Sequence, residues 1–214
     1  MQTILCYGDS NTWGYTPGTG QRYPRSQRWP GVLQAVLGPG FFVIEEGLNS
    51  RTTVLDDPTR APGKNGLPYL RPCLDSHAPL DLVLLMLGSN DLKHRFGLSA
   101  FDISLNAAAL VGVIQESDAG RDSKAPPVLL LSPPHVGPFT ALADLFAGAE
   151  EKSRQLSKHY QAVAQQTNCS FFDVAEVVVA SPVDGVHWET EQHAALGNRL
   201  ADVVRQLLHE KDGR

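Results

Sequence analysis

Short apolar runs alternate with stretches of helical periodicity along most of this chain, and that alternation restricts its fold more than any other feature. Thr3–Tyr7, Phe41–Ile44, Leu82–Leu87, Val128–Leu131 and Ser170–Phe172 read as strands. Leu82–Leu87 is apolar on both faces, as a central parallel strand requires. Between the runs, Trp29, Val32, Leu33, Val36 and Leu37 share one helical face that stops at Gly38. Ile103, Ala107, Leu110, Val111 and Ile114 form a second face. Leu156, Tyr160 and Val163 follow an acidic start at Glu150 and Glu151, and Leu196, Leu200, Val203, Val204, Leu207 and Leu208 give a closing amphipathic helix. Strands alternating with helices argue a parallel sheet with helices on both faces. Five strands suggest a three-layer α/β/α, flavodoxin-like fold with sheet order 2-1-3-4-5. The length of 214 residues fits one domain spanning 1–214. Three long connections, Gly14–Pro30, Asp56–Pro68 and Pro133–Gly148, are of the kind that carries function in compact domains.

Composition narrows the function. With 42% hydrophobic and 19% charged residues the chain is ordinary globular protein rather than a disordered one. A net charge of −5 argues against nucleic-acid binding, and the Arg22, Arg25 and Arg28 cluster reads as a solvated loop. The longest apolar run, Leu82–Leu87, is far short of the roughly 20 residues that span a bilayer. Met1–Tyr7 runs straight into Gly8-Asp9-Ser10 and leaves no room for a signal peptide, so a cytoplasmic location is expected. Cys6, Cys73 and Cys169 are odd in number and widely spaced, which implies neither a disulfide framework nor a metal knuckle. Cys6 and Cys169 read as buried small hydrophobes. No His, Cys and carboxylate grouping has zinc spacing, so no metal is expected.

In doubly wound sheets the site lies outside the carboxyl ends of the strands. The first strand is followed by Gly8-Asp9-Ser10-Asn11, the second by Glu45-Glu46-Gly47-Leu48-Asn49-Ser50-Arg51-Thr52-Thr53, and the third by Gly88-Ser89-Asn90-Asp91. Asp184-Gly185-Val186-His187 lies between the fifth strand and the last helix. A serine at a strand-to-helix turn exposes its hydroxyl beside backbone N–H groups, which suits a nucleophile and an oxyanion site. Asp and His three apart can place a carboxylate on the imidazole Nδ1 and leave Nε2 free as a base. Alone, each motif also reads as a helix cap or a turn.

In combination the four motifs resemble the SGNH (GDSL) hydrolase superfamily over essentially the whole chain. Leu5–Gly14, Ile44–Thr53 with Asp56-Asp57-Pro58-Thr59, Met86–Asp91, Arg28-Trp29 and Ser132-Pro133-Pro134 are similar to its bacterial arylesterase/acyltransferase branch. That resemblance implies a serine esterase acting on short acyl esters, including aryl esters, with acyl transfer to alcohols in some members. It implies no metal or organic cofactor and a small-molecule ester as ligand, and since some members of the branch form homo-oligomers, a homo-oligomer is expected; no nucleic-acid or membrane partner is expected from the charge and the short apolar runs. It assigns Ser10 as nucleophile, His187 as general base and Asp184 as the group that orients it. The oxyanion donors would be the backbone N–H groups of Ser10 and Ser50 and the side-chain amide of Asn90. Many superfamily members carry glycine where this chain has Ser50, and Gly47 then has a structural role.

Asn11 and Trp13 are expected at the substrate, with Trp13 walling the pocket, whereas Asp9 is expected to brace the turn. His193 reads as a solvated residue early in the last helix, and His135 as a rim residue after Pro133-Pro134. His77, His159 and His209 read as helix-surface residues, and His94 has no assigned role. Apolar residues in Phe139–Phe146 fit either an interface or a pocket lid. The alternatives within enzymes are a carbohydrate O-acetylesterase, or a thioesterase or lysophospholipase preferring long acyl chains. Outside them, a flavin-binding flavodoxin-like protein could cradle a phosphate at Ser10-Asn11-Thr12, leaving Asp184 and His187 without a role. A receiver domain would need an aspartate at the end of the third strand, where this chain has Gly88-Ser89-Asn90.

Overall fold

A computed structural model describes residues 1–212, so residues 213 and 214 of the expected single domain lie outside the described residues. Five parallel strands, β1 (Gln2–Gly8), β2 (Phe41–Gly47), β3 (Leu82–Met86), β4 (Val128–Ser132) and β5 (Ser170–Asp173), pair in the order β2-β1-β3-β4-β5. This is the expected three-layer α/β/α arrangement. Because successive side chains on a strand face opposite ways, the buried strands feed two cores. Leu5, Tyr7, Val83, Leu85 and Leu130 pack under α3 (Gly66–His77), α4 (Ala100–Gln115) and α5 (Ala149–Gln166). Ile4, Cys6, Leu82, Leu84, Leu129 and Leu131 pack under α2 (Trp29–Leu37) and α6 (Thr190–Asp212). A short α1 (Ser10–Trp13) follows β1 directly. Among the described residues no helix is long and apolar enough to cross a membrane.

Three departures from the sequence reading have physical causes. The sequence reading ends a connection at Pro68 and assigns no helix over α3, which carries Pro68 and Pro72, although it expects His77 on a helix surface. The start of α3 is nevertheless capped by Asn65, whose side chain accepts the Leu67 N–H at 3.0 Å, and Leu70, Cys73 and Leu74 bury one face. β2 extends three residues beyond Ile44 because its polar end is partnered: Glu45 meets Arg25 at 2.8 Å and Glu46 meets His77 at 2.9 Å. Leu87 falls outside β3, where the chain turns and its carbonyl accepts the Tyr160 hydroxyl at 2.8 Å.

Register places the site. Gly8 pairs with Gly47 on β2 and with Met86 on β3, so the residues that follow these three strands leave the sheet side by side. The close packing there demands glycine at two positions. A Cβ on Gly8 would lie 2.1 Å from Thr12 Oγ1, and one on Gly47 would lie 2.2 Å from the Trp13 nitrogen. Gly47 therefore lets α1 sit directly on the end of β2, the structural role expected of it.

Candidate active site

Asp9 starts the site. It caps α1 through its side chain, which accepts the Asn11 N–H at 2.9 Å. Burial pushes its carboxyl above the usual range, against the opposing effect of the Asn11 N–H, of His187 and of Ser89. Asp9 thus braces the turn, as expected. Ser10 is the first helical residue, where helix geometry leaves the N–H without an intrahelical partner. Its Oγ lies 3.0 Å from His187 Nε2, across 177 residues of sequence. His187 Nδ1 lies 2.8 Å from Asp184 Oδ2. Asp184 Oδ1 accepts the backbone N–H groups of Val186 and His187, each at 2.9 Å. Burial alone would raise the Asp184 carboxyl, but the His187 ring and these two N–H groups hold it at about 2. The pair sits on a tight loop in which the Ser181 N–H donates to the His187 carbonyl at 2.7 Å. A hydroxyl bonded to an imidazole that a carboxylate holds in one tautomer can pass its proton to Nε2.

The loops after β2 and β3 are fixed by Arg51, Thr53 and Asp91, to which the sequence reading gives no role, together with Asn90. Arg51 sends Nη1 to the carbonyls of Gly8, at 2.9 Å, and Glu46, and its guanidinium stacks over Tyr7 at 4.2 Å. It therefore ties the ends of β1 and β2 beneath Ser50. Asn90 donates from Nδ2 to the Arg51 carbonyl at 3.1 Å. Asp91 accepts the Thr53 N–H at 3.1 Å and bonds the Thr53 hydroxyl, so the two loops are joined twice. Burial raises Asp91 to about 6, the Thr53 bonds opposing it. Ser50 itself has φ 65°, the left-handed region that glycine takes without strain. Its backbone nevertheless holds that conformation.

These loops open into a cavity of about 460 Å³. Ser10, Ser50, Asn90 and His187 line one end, and Leu142, Leu145, Phe146 and Val186 make an apolar wall. The Phe139–Phe146 segment thus turns its apolar side chains inward, with Phe139 and Phe146 stacked at 5.5 Å. Lys93 also lines the cavity, but its ammonium is buried against Asp57 at 3.1 Å, which Arg95 meets from the other side at 3.0 Å. The Tyr15 ring stacks on the His187 ring with centres 4.0 Å apart. Gly14, in the left-handed region at φ 88°, turns the chain back there, and a glycine after a short helix is the one sequence signal for it.

The structure places four residues that the sequence reading singled out as follows. Trp13 is absent from the cavity lining; its indole faces Tyr15 and the Arg22 guanidinium, 5.0 Å away, because the α1 backbone is pressed onto Gly47. Asn11 is buried and its amide donates to the Val186 carbonyl at 3.3 Å, tying the serine turn to the histidine loop. His193 is wholly buried, not solvated. Its Nδ1 accepts the Trp29 N–H at 3.3 Å, and burial lowers its pKa to about 3. His135 is exposed and absent from the cavity lining.

The family model of the GDSL-like lipase/acylhydrolase family matches residues 6–209. No curated protein matches the chain. Among solved structures, a carbohydrate acetylesterase from Sinorhizobium meliloti is 40% identical with a TM-score of 0.93, covering 97% of this chain and 100% of its own. The aryl esterase of M. smegmatis is 42% identical with a TM-score of 0.92, at 97% and 100% coverage. A member of the lipolytic G-D-S-L family from Veillonella parvula, 15% identical with a TM-score of 0.70 over 96% of this chain and all of its own, shares the fold.

Proposed function

Because the chain belongs to the GDSL-like lipase/acylhydrolase family, we propose that it hydrolyses short acyl and aryl esters through an acyl-enzyme on Ser10. The observation that carries the mechanism is the unbroken hydrogen-bonded line from Ser10 Oγ through His187 to Asp184, at 3.0 and 2.8 Å. His187 Nε2 takes the Ser10 proton as Oγ attacks the ester carbonyl. Asp184, ionised far below neutral pH, stabilises the imidazolium that results. The tetrahedral oxyanion faces the N–H groups of Ser10 and Ser50 and the Asn90 amide, each such donor being worth about 2.7–4 kcal/mol in related chemistry. His187 returns its proton to the leaving alcohol or phenol, and water then releases the acid. Tyr15, stacked on the His187 ring, holds it against rotation.

Substrate size follows from the cavity. A volume of about 460 Å³ is near the small end of ligand sites, and its apolar wall suits a phenyl ring or a short acyl chain. The aryl esterase relative supports the aryl reading. The carbohydrate acetylesterase relative supports a second reading, removal of acetyl groups from sugars, by the same chemistry. An alcohol held against the apolar wall would compete with water for the acyl-enzyme, giving acyl transfer. We place the protein in the cytoplasm as a homo-oligomer whose ligand is a small ester, with no cofactor in the reaction and with no nucleic-acid or membrane partner.

The test is intact mass after fluorophosphonate treatment, together with phenyl acetate hydrolysis. Wild type should gain one adduct and Ser10→Ala none, and the variant should lose hydrolysis. An unlabelled but folded wild type would remove the acyl-enzyme. Acetylated sugar assayed beside phenyl acetate separates the two substrate readings.

A further inference from the structure

Behind the donor loops, α3 carries Tyr69, Cys73 and His77 at four-residue intervals, a spacing that shares one helix face. That face meets the end of β2. His77 Nε2 lies 2.9 Å from Glu46 Oε1, and one donor atom from each of Glu46, Cys73 and His77 falls within 4.8 Å of the others. None of these four side chains takes part in the ester chemistry.

We propose that Glu46, Cys73 and His77 form a binding site for a divalent ion of the zinc type. Thiolate, imidazole and carboxylate are the donors zinc accepts, and a thiolate selects against magnesium and calcium. Donors about 2.0–2.3 Å from a tetrahedral centre lie roughly 3.3–3.8 Å apart. His77 and Glu46 donors lie 2.9 Å apart and all three donor atoms fall within 4.8 Å of one another, so small side-chain rotations close the set. Three protein ligands leave one position for water. Cys73 forms the buried floor, while the side chains of His77 and Glu46, 29% and 20% exposed, give the ion its way in from solvent.

Charge balances in the filled site. The Cys73 sulfur–hydrogen bond breaks, its proton goes to water, and the sulfur electron pair binds the ion. Thiolate and Glu46 carboxylate then neutralise two positive charges, with His77 bound as neutral imidazole. Because the sulfur binds as thiolate, filling the site releases one proton. The Arg51 guanidinium, 5.6 Å from the Tyr69 ring centre, opposes a free cation but supports the thiolate.

The experiment is titration of the full chain with Co²⁺, read by thiolate-to-cobalt charge-transfer absorption in the near ultraviolet and tetrahedral bands in the visible. One ion should bind per chain, and Zn²⁺ should displace it. Cys73→Ser should abolish the charge-transfer band. His77→Gln, at a partly exposed position and so safe for folding, should weaken binding by at least about tenfold. Both variants should keep phenyl acetate hydrolysis. Folded wild type without the band overturns the proposal. So does a band that persists in Cys73→Ser, which would place the ion on Cys6 or Cys169, or a His77→Gln affinity equal to wild type.

Discussion

Asp184 decides which ring nitrogen of His187 carries the proton, and Asp184→Asn isolates that role. In the native loop Oδ1 accepts two backbone N–H groups at 2.9 Å, while Oδ2 faces His187 Nδ1 at 2.8 Å. An asparagine keeps both backbone bonds on its amide oxygen, so the loop keeps its shape. Its NH₂ group then faces Nδ1 and requires an acceptor there. The ring proton moves to Nε2, 3.0 Å from Ser10 Oγ, where it blocks transfer of the serine proton. The same exchange in a serine-protease triad lowers kcat by about 10⁴, or ~5 kcal/mol at about 1.36 kcal/mol per decade. Fold stability should fall by only about 1–2 kcal/mol, the worth of one charge-assisted hydrogen bond. Phenyl acetate hydrolysis at neutral pH, with kcat and KM separated and thermal unfolding run alongside, reads both effects. A folded variant whose kcat falls by less than about tenfold, below the usual share of general-base catalysis, would refute the tautomer argument.

Asn90→Ala should lower kcat by about 10²–10³ with little change in KM, because the amide acts on charge that appears only in the transition state; a change confined to KM would make Asn90 a ground-state contact. Ser50→Gly removes left-handed strain of about 1–2 kcal/mol and adds about 0.5–1 kcal/mol of unfolded-chain freedom. Denaturant titration should therefore show a net gain of about 0.5–1 kcal/mol, with kcat retained because the donor is backbone; a large fall in kcat would move the role to the hydroxyl. Asp91, with its folded pKa raised to about 6, contributes stability that is complete below the ordinary carboxylate pKa and is lost as pH rises through about 6. Wild type should therefore lose about 2 kcal/mol relative to Asp91→Asn between pH ~4 and pH ~8, measured by denaturant midpoints at both pH values. Equal differences at the two pH values would place the Asp91 carboxyl in its ordinary range.

The strands, four of the long helices and the four chemical motifs were legible in the sequence because each is a local pattern. A buried strand must be apolar wherever both its faces are covered, as Leu82–Met86 is, and a packed helix must repeat its apolar side with the helical period. Ser10, Ser50, Asn90 and Asp184-x-x-His187 were readable because the fold places successive strand ends at one edge. α3 escaped because two prolines masked a helix whose cap and buried face are otherwise ordinary.

What only the tertiary structure decided is which side chains meet across long sequence separations. Arg51 reads as any basic loop residue until its guanidinium is seen beneath Gly8 and Glu46. Asn11 and Trp13 flank Ser10 in sequence. One is spent on Val186 and the other is turned toward Arg22, because the direction of a helix face depends on what it packs against. His193 looks solvated in a polar helix start and is buried between Trp188 and Tyr23. Glu46 lies 31 residues from His77, so no spacing rule joins them; only the packing of α3 on β2 does. Local sequence sets φ, ψ and period, and so the elements. Burial, charge pairing and donor geometry are sums over neighbours that the chain meets only once it has folded.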